Sequence, residues 1–250
     1  GEELLERISL KKGAVFSTDD YRSSKRTIER LYGNRGFPFA EVDGQVQVDV
    51  RRNLARARFV IEPNGAYRFG EVRVDQKEEL VKEEIILRAL QFSPGQEYSD
   101  AAVEQSQRNL VNLDVFRSAL ILPGSPREDS DRLPMEVRLQ AKEPRQIGFG
   151  VGYGSEDGLR LRASWRYRNV LKRAGRFTLS GRRSDLIETV QAEYVQPYWL
   201  DARNDLRGRT GWEREDLEPY TNETTFAKLA VDRRLSRLWS GSAGYKLENN

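Results

Sequence analysis

The segment Ile147–Val170 reads IGFGVGYGSEDGLRLRASWRYRNV and contains two different alternating patterns. In its first half, every second residue is a glycine and the others are apolar or aromatic. In its second half, leucines and aromatic residues alternate with arginines and one serine. Because successive side chains of a β-strand point to opposite faces, a period of two residues predicts two extended strands. One face of these strands is apolar, and the other consists of glycine and arginine.

The same alternation continues to the end of the sequence. Five further stretches alternate in this way: residues 176–182, 188–196, 205–214, 224–235 and 239–247. The seven strands are connected by short segments, and most have the length of about nine to eleven residues that a tilted membrane strand needs. Aromatic residues lie near strand ends, as they do at a lipid interface. The predicted interface aromatics are Trp165, Tyr167, Tyr194, Tyr198, Trp199 and Trp239.

Two architectures fit the alternation. In an outer-membrane barrel, the apolar face contacts lipid and the charged face lines a wet lumen. In a soluble sandwich, the apolar face forms the core and the charged face contacts water. Strand length, short connections and the aromatic positions favour the barrel, and they predict an antiparallel meander over residues 146–250.

The composition excludes several classes of function. The 250 residues include no cysteine and no histidine, so disulfides, imidazole bases and the usual zinc ligands are absent. The net charge of +3 is too small to indicate nucleic-acid binding. No carboxylate lies in a motif with a nucleophile or a metal partner, so we expect no catalytic residue, no metal and no cofactor. We interpret the protein as a non-enzyme.

The first 144 residues contain an internal repeat. Residues 4–31 align with residues 86–113, which gives a period of roughly 80 residues. Gly13 matches Gly95 where the first helix of each copy ends, and Ser17 matches Ser99 at the start of the next helix. Each copy therefore predicts helix, loop, helix, strand, strand. The second copy also has a leading strand, Phe69–Asp75.

This element order, with the phrase FGEVRV and the loop GQEYS, resembles a POTRA domain. The resemblance implies tandem α+β POTRA domains (β-α-α-β-β), one at residues 1–64 without its first strand and one at residues 66–144. The repeat, the Lys-Glu-Pro before Arg145 and the strands that follow are together similar to POTRA-plus-β-barrel outer-membrane assembly factors. Among these, the TamA type is the most similar and BamA-like proteins are next.

The resemblance has several implications. It places the protein in the bacterial outer membrane, with the POTRA domains in the periplasm. The family's barrel has about sixteen strands, so the chain is expected to be a fragment. Its partners would be unfolded outer-membrane β-barrel proteins or autotransporters, outer-membrane lipid, and a periplasmic or inner-membrane-anchored partner of the TamB or lipoprotein kind, but no nucleic acid.

In the family, the first barrel strand lies at a seam that pairs with an incoming client strand, which is a case of β-augmentation. We therefore expect a client-pairing edge here, formed by Ile147, Gly148, Phe149, Gly150, Val151, Gly152 and Tyr153. The glycines either weaken this strand for exchange or simply make room for lumen residues and barrel curvature. A second candidate edge is the POTRA strand with Arg117, Ala119 and Ile121.

Three hypotheses of function follow. The leading one is an assembly factor that inserts barrel proteins or autotransporters by templating client strands at the first barrel strand. The second is a two-partner-type secretion pore that exports one dedicated substrate. The third is a soluble periplasmic interaction module with a sandwich fold.

Overall fold

The computed structural model describes residues 2–76, 79–127, 129–217, 220–236 and 238–250. The chain forms two compact units. The first unit comprises Gly1–Asp75, Leu90–Gln107 and Leu120–Arg138, and the second comprises Gln76–Ala89, Arg108–Ala119 and Leu139–Asn250. Among the described residues, no helix is both long enough and apolar enough to cross a bilayer. The domain boundaries inferred from the sequence stay predictions.

The first unit begins with two helices and a hairpin. Helix α1 covers Glu2–Arg7, and α2 covers Thr18–Gly33 after the N-cap Ser17, whose side chain accepts a hydrogen bond from the backbone N–H of Asp20 at 3.3 Å. Strands β1 (Glu41–Asp49) and β2 (Leu54–Glu62) pair antiparallel. Their shared core with the helices consists of Ile8, Ile28 and Val42.

The next elements complete the predicted α+β arrangement. In chain order they are β3 (Arg68–Asp75), α3 (Glu83–Ala89), α4 (Asp100–Asn112), β4 (Phe116–Pro123) and β5 (Arg132–Ala141). The three strands form one sheet in the order β3-β5-β4, with β3 and β5 parallel. Within the first unit, Phe69 is buried and its ring stacks on Phe92 with centroids 4.1 Å apart. The predicted order β-α-α-β-β is confirmed.

The second unit contains a seven-stranded antiparallel meander. Its strands are β6 (Arg145–Gly154), β7 (Gly158–Val170), β8 (Gly175–Arg183), β9 (Ile187–Gln196), β10 (Asn204–Leu217), β11 (Tyr220–Arg234) and β12 (Ser240–Asn249). The sheet order is strictly sequential from β6 to β12. The seven predicted strands are therefore confirmed as one sheet, whereas a sandwich would divide them between two packed sheets.

The register separates the side chains of the meander into two chemically different faces. One cross-strand row on the apolar face is Phe149, Ala163, Gly181, Val190 and Trp212. A row on the polar face is Gln146, Arg166, Thr178, Glu193 and Arg209. Since neighbouring side chains alternate across a strand, this register keeps the apolar residues together over most of the sheet.

Candidate functional site

Strand β6 lies at one edge of the meander. Within the described part of the chain its only strand partner is β7, so the other side of β6 presents unpaired main-chain groups. The apolar side chains of this strand are largely exposed: Ile147 is 64% exposed, Phe149 83%, Val151 76% and Tyr153 82%. The predicted client-pairing residues therefore form one continuous accessible edge.

Of the four glycines of β6, two are not required by space, and none is required by its backbone conformation. A Cβ placed on Gly150 comes no closer than 3.8 Å to another heavy atom, the Cβ of Arg162. A Cβ on Gly152 comes no closer than 4.0 Å to the Cβ of Arg160. None of these φ angles lies in the left-handed region. A Cβ would meet a close neighbour at Gly148, where the Ser164 hydroxyl lies at 2.9 Å, and at Gly154, where the Asp157 carboxylate and the Arg160 guanidinium are closer still.

A groove of about 440 Å³ lies beside this edge on the sheet. Phe149, Val190 and Trp212 contribute to its lining, together with the small residues Ala163 and Gly181. These five residues form the apolar cross-strand row described above, and the small ones lie between Phe149 and Val190 in that row. The apolar face is therefore indented next to β6.

The opposite face beside β6 is basic. Gly150 pairs in register with Arg162, and Gly152 with Arg160. Asp157, in the turn between β6 and β7, is the nearby counter-charge: its carboxylate accepts hydrogen bonds from Arg160 and, at 3.5 Å, from Arg182. These arginine contacts hold the pKa of Asp157 below its usual value.

The POTRA edge residues lie on β4, which is an edge strand of its three-stranded sheet. Arg117 is exposed and forms an ion pair with Glu143, Ala119 is half-buried, and Ile121 is buried. The backbone N–H of Ile121 already donates to the side-chain oxygen of Gln107 at 3.1 Å. A strand that added to β4 at this position would have to displace that glutamine.

Five of the six predicted interface aromatics are at least partly accessible. Trp165 and Tyr167 lie on the apolar face, where Trp165 contacts Phe177 with ring centroids 6.1 Å apart. Tyr194 is the cross-strand neighbour of Phe177. Trp199 and Trp239 lie in connections, 36% and 73% exposed.

Tyr198 differs from that expectation, because its ring is buried. It is 5% exposed, its backbone N–H donates to Asp205, and the Arg234 guanidinium lies over its ring at 5.5 Å from the centroid. The turn residues around it therefore enclose the ring within the protein, and it does not present an aromatic surface to lipid.

An ionic cluster that the sequence did not predict lies at the start of the meander. Arg168, at the end of β7, is buried, and its Nε donates to Asp114 at 2.9 Å. Lys142 donates to the same carboxylate, and Arg168 also donates to the carbonyl oxygen of Glu143 and to the side chain of Gln146. Burial alone would raise the pKa of Asp114, but the hydrogen bonds from Lys142 and Arg168 outweigh burial and lower it.

The turn after this cluster has an unusual backbone. Asn169, Leu171, Lys172 and Ala174 all have positive φ, between 56° and 66°. Asn169 donates through its side-chain amide to the carbonyl oxygen of Leu80 at 2.7 Å, and the backbone N–H of Lys82 donates to the carbonyl oxygen of Lys172 at 2.9 Å. These contacts within the second unit hold the turn against residues 80–84. In the sequence, only Asn169 indicates this turn, because asparagine tolerates a positive φ better than most residues do.

Known proteins share both parts of this architecture. Residues 1–64 match the POTRA family, described as a surface antigen variable number repeat. BamA of Neorickettsia risticii, named an outer membrane protein assembly factor, is 22% identical over 199 residues, which cover 80% of this chain and 26% of that protein. This chain therefore spans about a quarter of that curated relative.

Solved structures agree on the fold. The crystal structure of BamA from Haemophilus ducreyi lacking POTRA domains 1–3 superposes with a TM-score of 0.78 at 20% identity, over 98% of this chain and 47% of that one. CdiB from Escherichia coli gives a TM-score of 0.54 at 15% identity, over 99% of this chain and 47% of that one.

Together the matches show a fold in which a POTRA region precedes an antiparallel meander, as in BamA. By sequence, the chain is similar to outer membrane protein assembly factors. The name of that relative, an outer membrane protein assembly factor, agrees with the predicted localisation in the outer membrane, with the POTRA region in the periplasm. BamA is named an assembly factor, which agrees with the interpretation of the chain as a non-enzyme.

Proposed function

We propose that this protein is part of an outer-membrane assembly factor in which β6 pairs with strands of unfolded β-barrel clients or autotransporters. The observation that carries the proposal is the position of β6 as the first strand of the meander, paired in the described chain with β7, together with its alternating glycines. An added strand would satisfy the free main-chain groups of this edge and extend the sheet by β-augmentation. The sequence similarity to BamA, which is named an outer membrane protein assembly factor, supports the same role.

The glycines of β6 favour the hypothesis that this strand exchanges partner strands over the hypothesis that they make room for other side chains. At Gly150 and Gly152 the methyl group of an alanine would fit, yet the sequence has glycine, the residue that costs the most backbone entropy to order. A weakly held edge strand releases and rebinds partner strands at a lower free-energy cost than a strongly held one. The alternative, that glycine makes room for lumen residues, is supported at Gly148, where Ser164 is close, and at Gly154, where Asp157 and Arg160 are close.

The POTRA region would bind clients or a periplasmic partner. The TamA-type subclass is proposed on the sequence resemblance, and its partner would be an inner-membrane-anchored protein of the TamB kind; a BamA-like factor would instead bind lipoproteins. Co-purification of the intact protein from membranes separates these two subclasses. Recovery of a TamB-like protein would support the first, and recovery of lipoproteins alone would contradict it.

The test of strand pairing uses the absence of cysteine from the sequence. Single cysteines at Phe149 and Val151, placed in the intact protein in cells, should form disulfides with cysteines engineered into strands of newly exported barrel proteins. A cysteine at Leu229, which is also exposed on the apolar face but lies in the interior strand β11, is the matched control. Equal cross-linking at Leu229 and Val151 would contradict templating at β6.

Depletion of the protein distinguishes assembly from export. An assembly factor should lower the amount of many outer-membrane proteins, because each needs a templating edge. Loss of a single secreted protein, with all other outer-membrane proteins unchanged, would instead favour the secretion pore.

A further inference from the structure

Charge is unevenly distributed along the meander, and the three strands nearest the open edge are purely basic. Strands β6, β7 and β8 contain eight arginines and no acidic residue. These are Arg145, Arg160, Arg162, Arg166, Arg168, Arg176, Arg182 and Arg183. Acidic residues first enter the sheet at β9, with Glu188 and Glu193. The region beside the edge therefore lacks the interleaved carboxylates that balance the rest of the sheet.

Most of these arginines share the face onto which the glycines of β6 open. Arg160 and Arg162 are the register partners of Gly152 and Gly150, and Arg166 is the partner of Gln146. Asp157 is hydrogen-bonded to Arg160 and Arg182. Within the described chain, Arg162 and Arg166 form no ion pair. Positive charge on this face is therefore only partly compensated by the residues that the structure describes.

The glycines leave a gap that an arginine side chain can cross. A strand added to β6 lies about 4.8 Å from it, so a residue opposite Gly150 is about 10 Å from the backbone of Arg162. Gly150 and Gly152 place no side chain in between. An extended arginine and the side chain of Asp or Glu can meet across that distance, whereas a large side chain at position 150 would block the approach.

We propose that the edge selects client strands that carry Asp or Glu at the positions facing Gly150 and Gly152, alternating with apolar residues that face Phe149 and Val151. This inference rests on the proposed function and names the chemical class of strand that the edge prefers. The carboxylates supply the counter-charge that β6–β8 lack, and the apolar residues extend the apolar face. The glycines then have a specific role, which is to let Arg162 reach the incoming strand and to let Arg160 share its charge between Asp157 and that strand.

Peptides test this preference directly. We reconstitute the intact protein, with a single cysteine at Val151, in vesicles of phosphatidylcholine and add synthetic peptides. Each peptide has one cysteine, and valine at the other positions on the side of Phe149 and Val151. The positions that face Gly150 and Gly152 are all Asp in one peptide, all Ser in a second and all Lys in a third. A peptide interrupted by proline gives the baseline of disulfide formation without strand pairing. We expect the Asp peptide to form disulfides about three- to fivefold more than the Ser peptide, as for a favourable cross-strand charge pair, and the Lys peptide to form fewest. High salt should reduce the difference.

Variants of the protein identify the arginine. Arg162→Glu should invert the order, so that the Lys peptide exceeds the Asp peptide. Arg162→Ser should only remove the preference, which keeps the test informative if the Glu variant folds poorly. Arg176→Glu is the matched control, since Arg176 lies on the same face but one strand farther from the edge. Gly150→Val should abolish the preference by filling the gap.

The outcomes separate the two proposals. If the Asp and Ser peptides cross-link equally and both exceed the proline-interrupted peptide, charge selection is overturned and strand pairing stands. If no peptide exceeds that baseline, strand pairing at β6 and the charge selection that depends on it are both overturned. An Arg176→Glu variant that inverts the order as Arg162→Glu does would also contradict the assignment, because the effect would then come from net charge alone.

Discussion

At the scale of single residues, the glycines of β6 make a prediction about edge stability. Gly150→Ala and Gly152→Ala should each stabilise β6 by about 0.5–1 kcal/mol, because alanine loses less backbone entropy and its Cβ has room. Amide hydrogen exchange of residues 147–153 should slow accordingly, and strand exchange with clients should slow with it.

Gly148→Ala is the control for this pair. Its Cβ would lie 2.9 Å from the Ser164 hydroxyl, so the serine must rotate and the gain should be smaller or absent. Faster exchange in the Gly150 and Gly152 variants would show that glycine is needed there for a structural reason.

The carboxylate of Asp114 makes a second residue-scale prediction. Asp114→Asn removes the negative charge that faces the buried Arg168, and the variant should lose about 1–3 kcal/mol of unfolding free energy, measured by urea denaturation. Glu143→Gln is the comparison, because the Glu143–Arg117 pair is exposed and its loss should change little. Equal effects of the two substitutions would mean that burial of Arg168 does not make its ion pair with Asp114 more important for stability than an exposed ion pair.

At the scale of elements, the turn from Asn169 to Ala174 stores backbone strain that can be relieved. Leu171 has φ of 57° and is 75% exposed, so Leu171→Gly removes the left-handed penalty without loss of a buried side chain. We expect the variant to gain about 1 kcal/mol in urea denaturation. Leu120→Gly, at an exposed position within β4, should destabilise instead, because glycine in a strand costs backbone entropy.

The elements also show how far sequence reasoning reaches. The seven strands of the meander followed from alternation alone, because a half-buried strand must repeat its chemistry every two residues. The Asp114–Arg168 cluster did not follow, since 54 residues separate its members and no local pattern pairs them. The burial of Tyr198 was missed for the same reason: its ring is covered by Arg234, which comes from another strand.

At the scale of the whole molecule, the lowered pKa of Asp114 predicts sensitivity to acid. A carboxyl whose pKa is lowered by folding stabilises the protein fully above its unfolded pKa of about 3.9, and this contribution is lost as the pH falls through the folded value. Thermal melts between neutral pH and about pH 3 should therefore show a steeper acid loss in the parent protein than in Asp114→Asn. Parallel curves for the two proteins would show that the carboxyl group of Asp114 is not the source of the acid sensitivity.

The division into units also has a consequence for synthesis. Residues 76–89 and 108–119 belong to the same compact unit as the meander, and they bond to residues as distant as Asn169 and Tyr198. A ribosome makes the early segments long before these partners exist, and contacts of such sequence separation form slowly. Those segments therefore reach their packed state only after the hairpins of the sheet have formed, and we expect the chain to expose apolar surface until then.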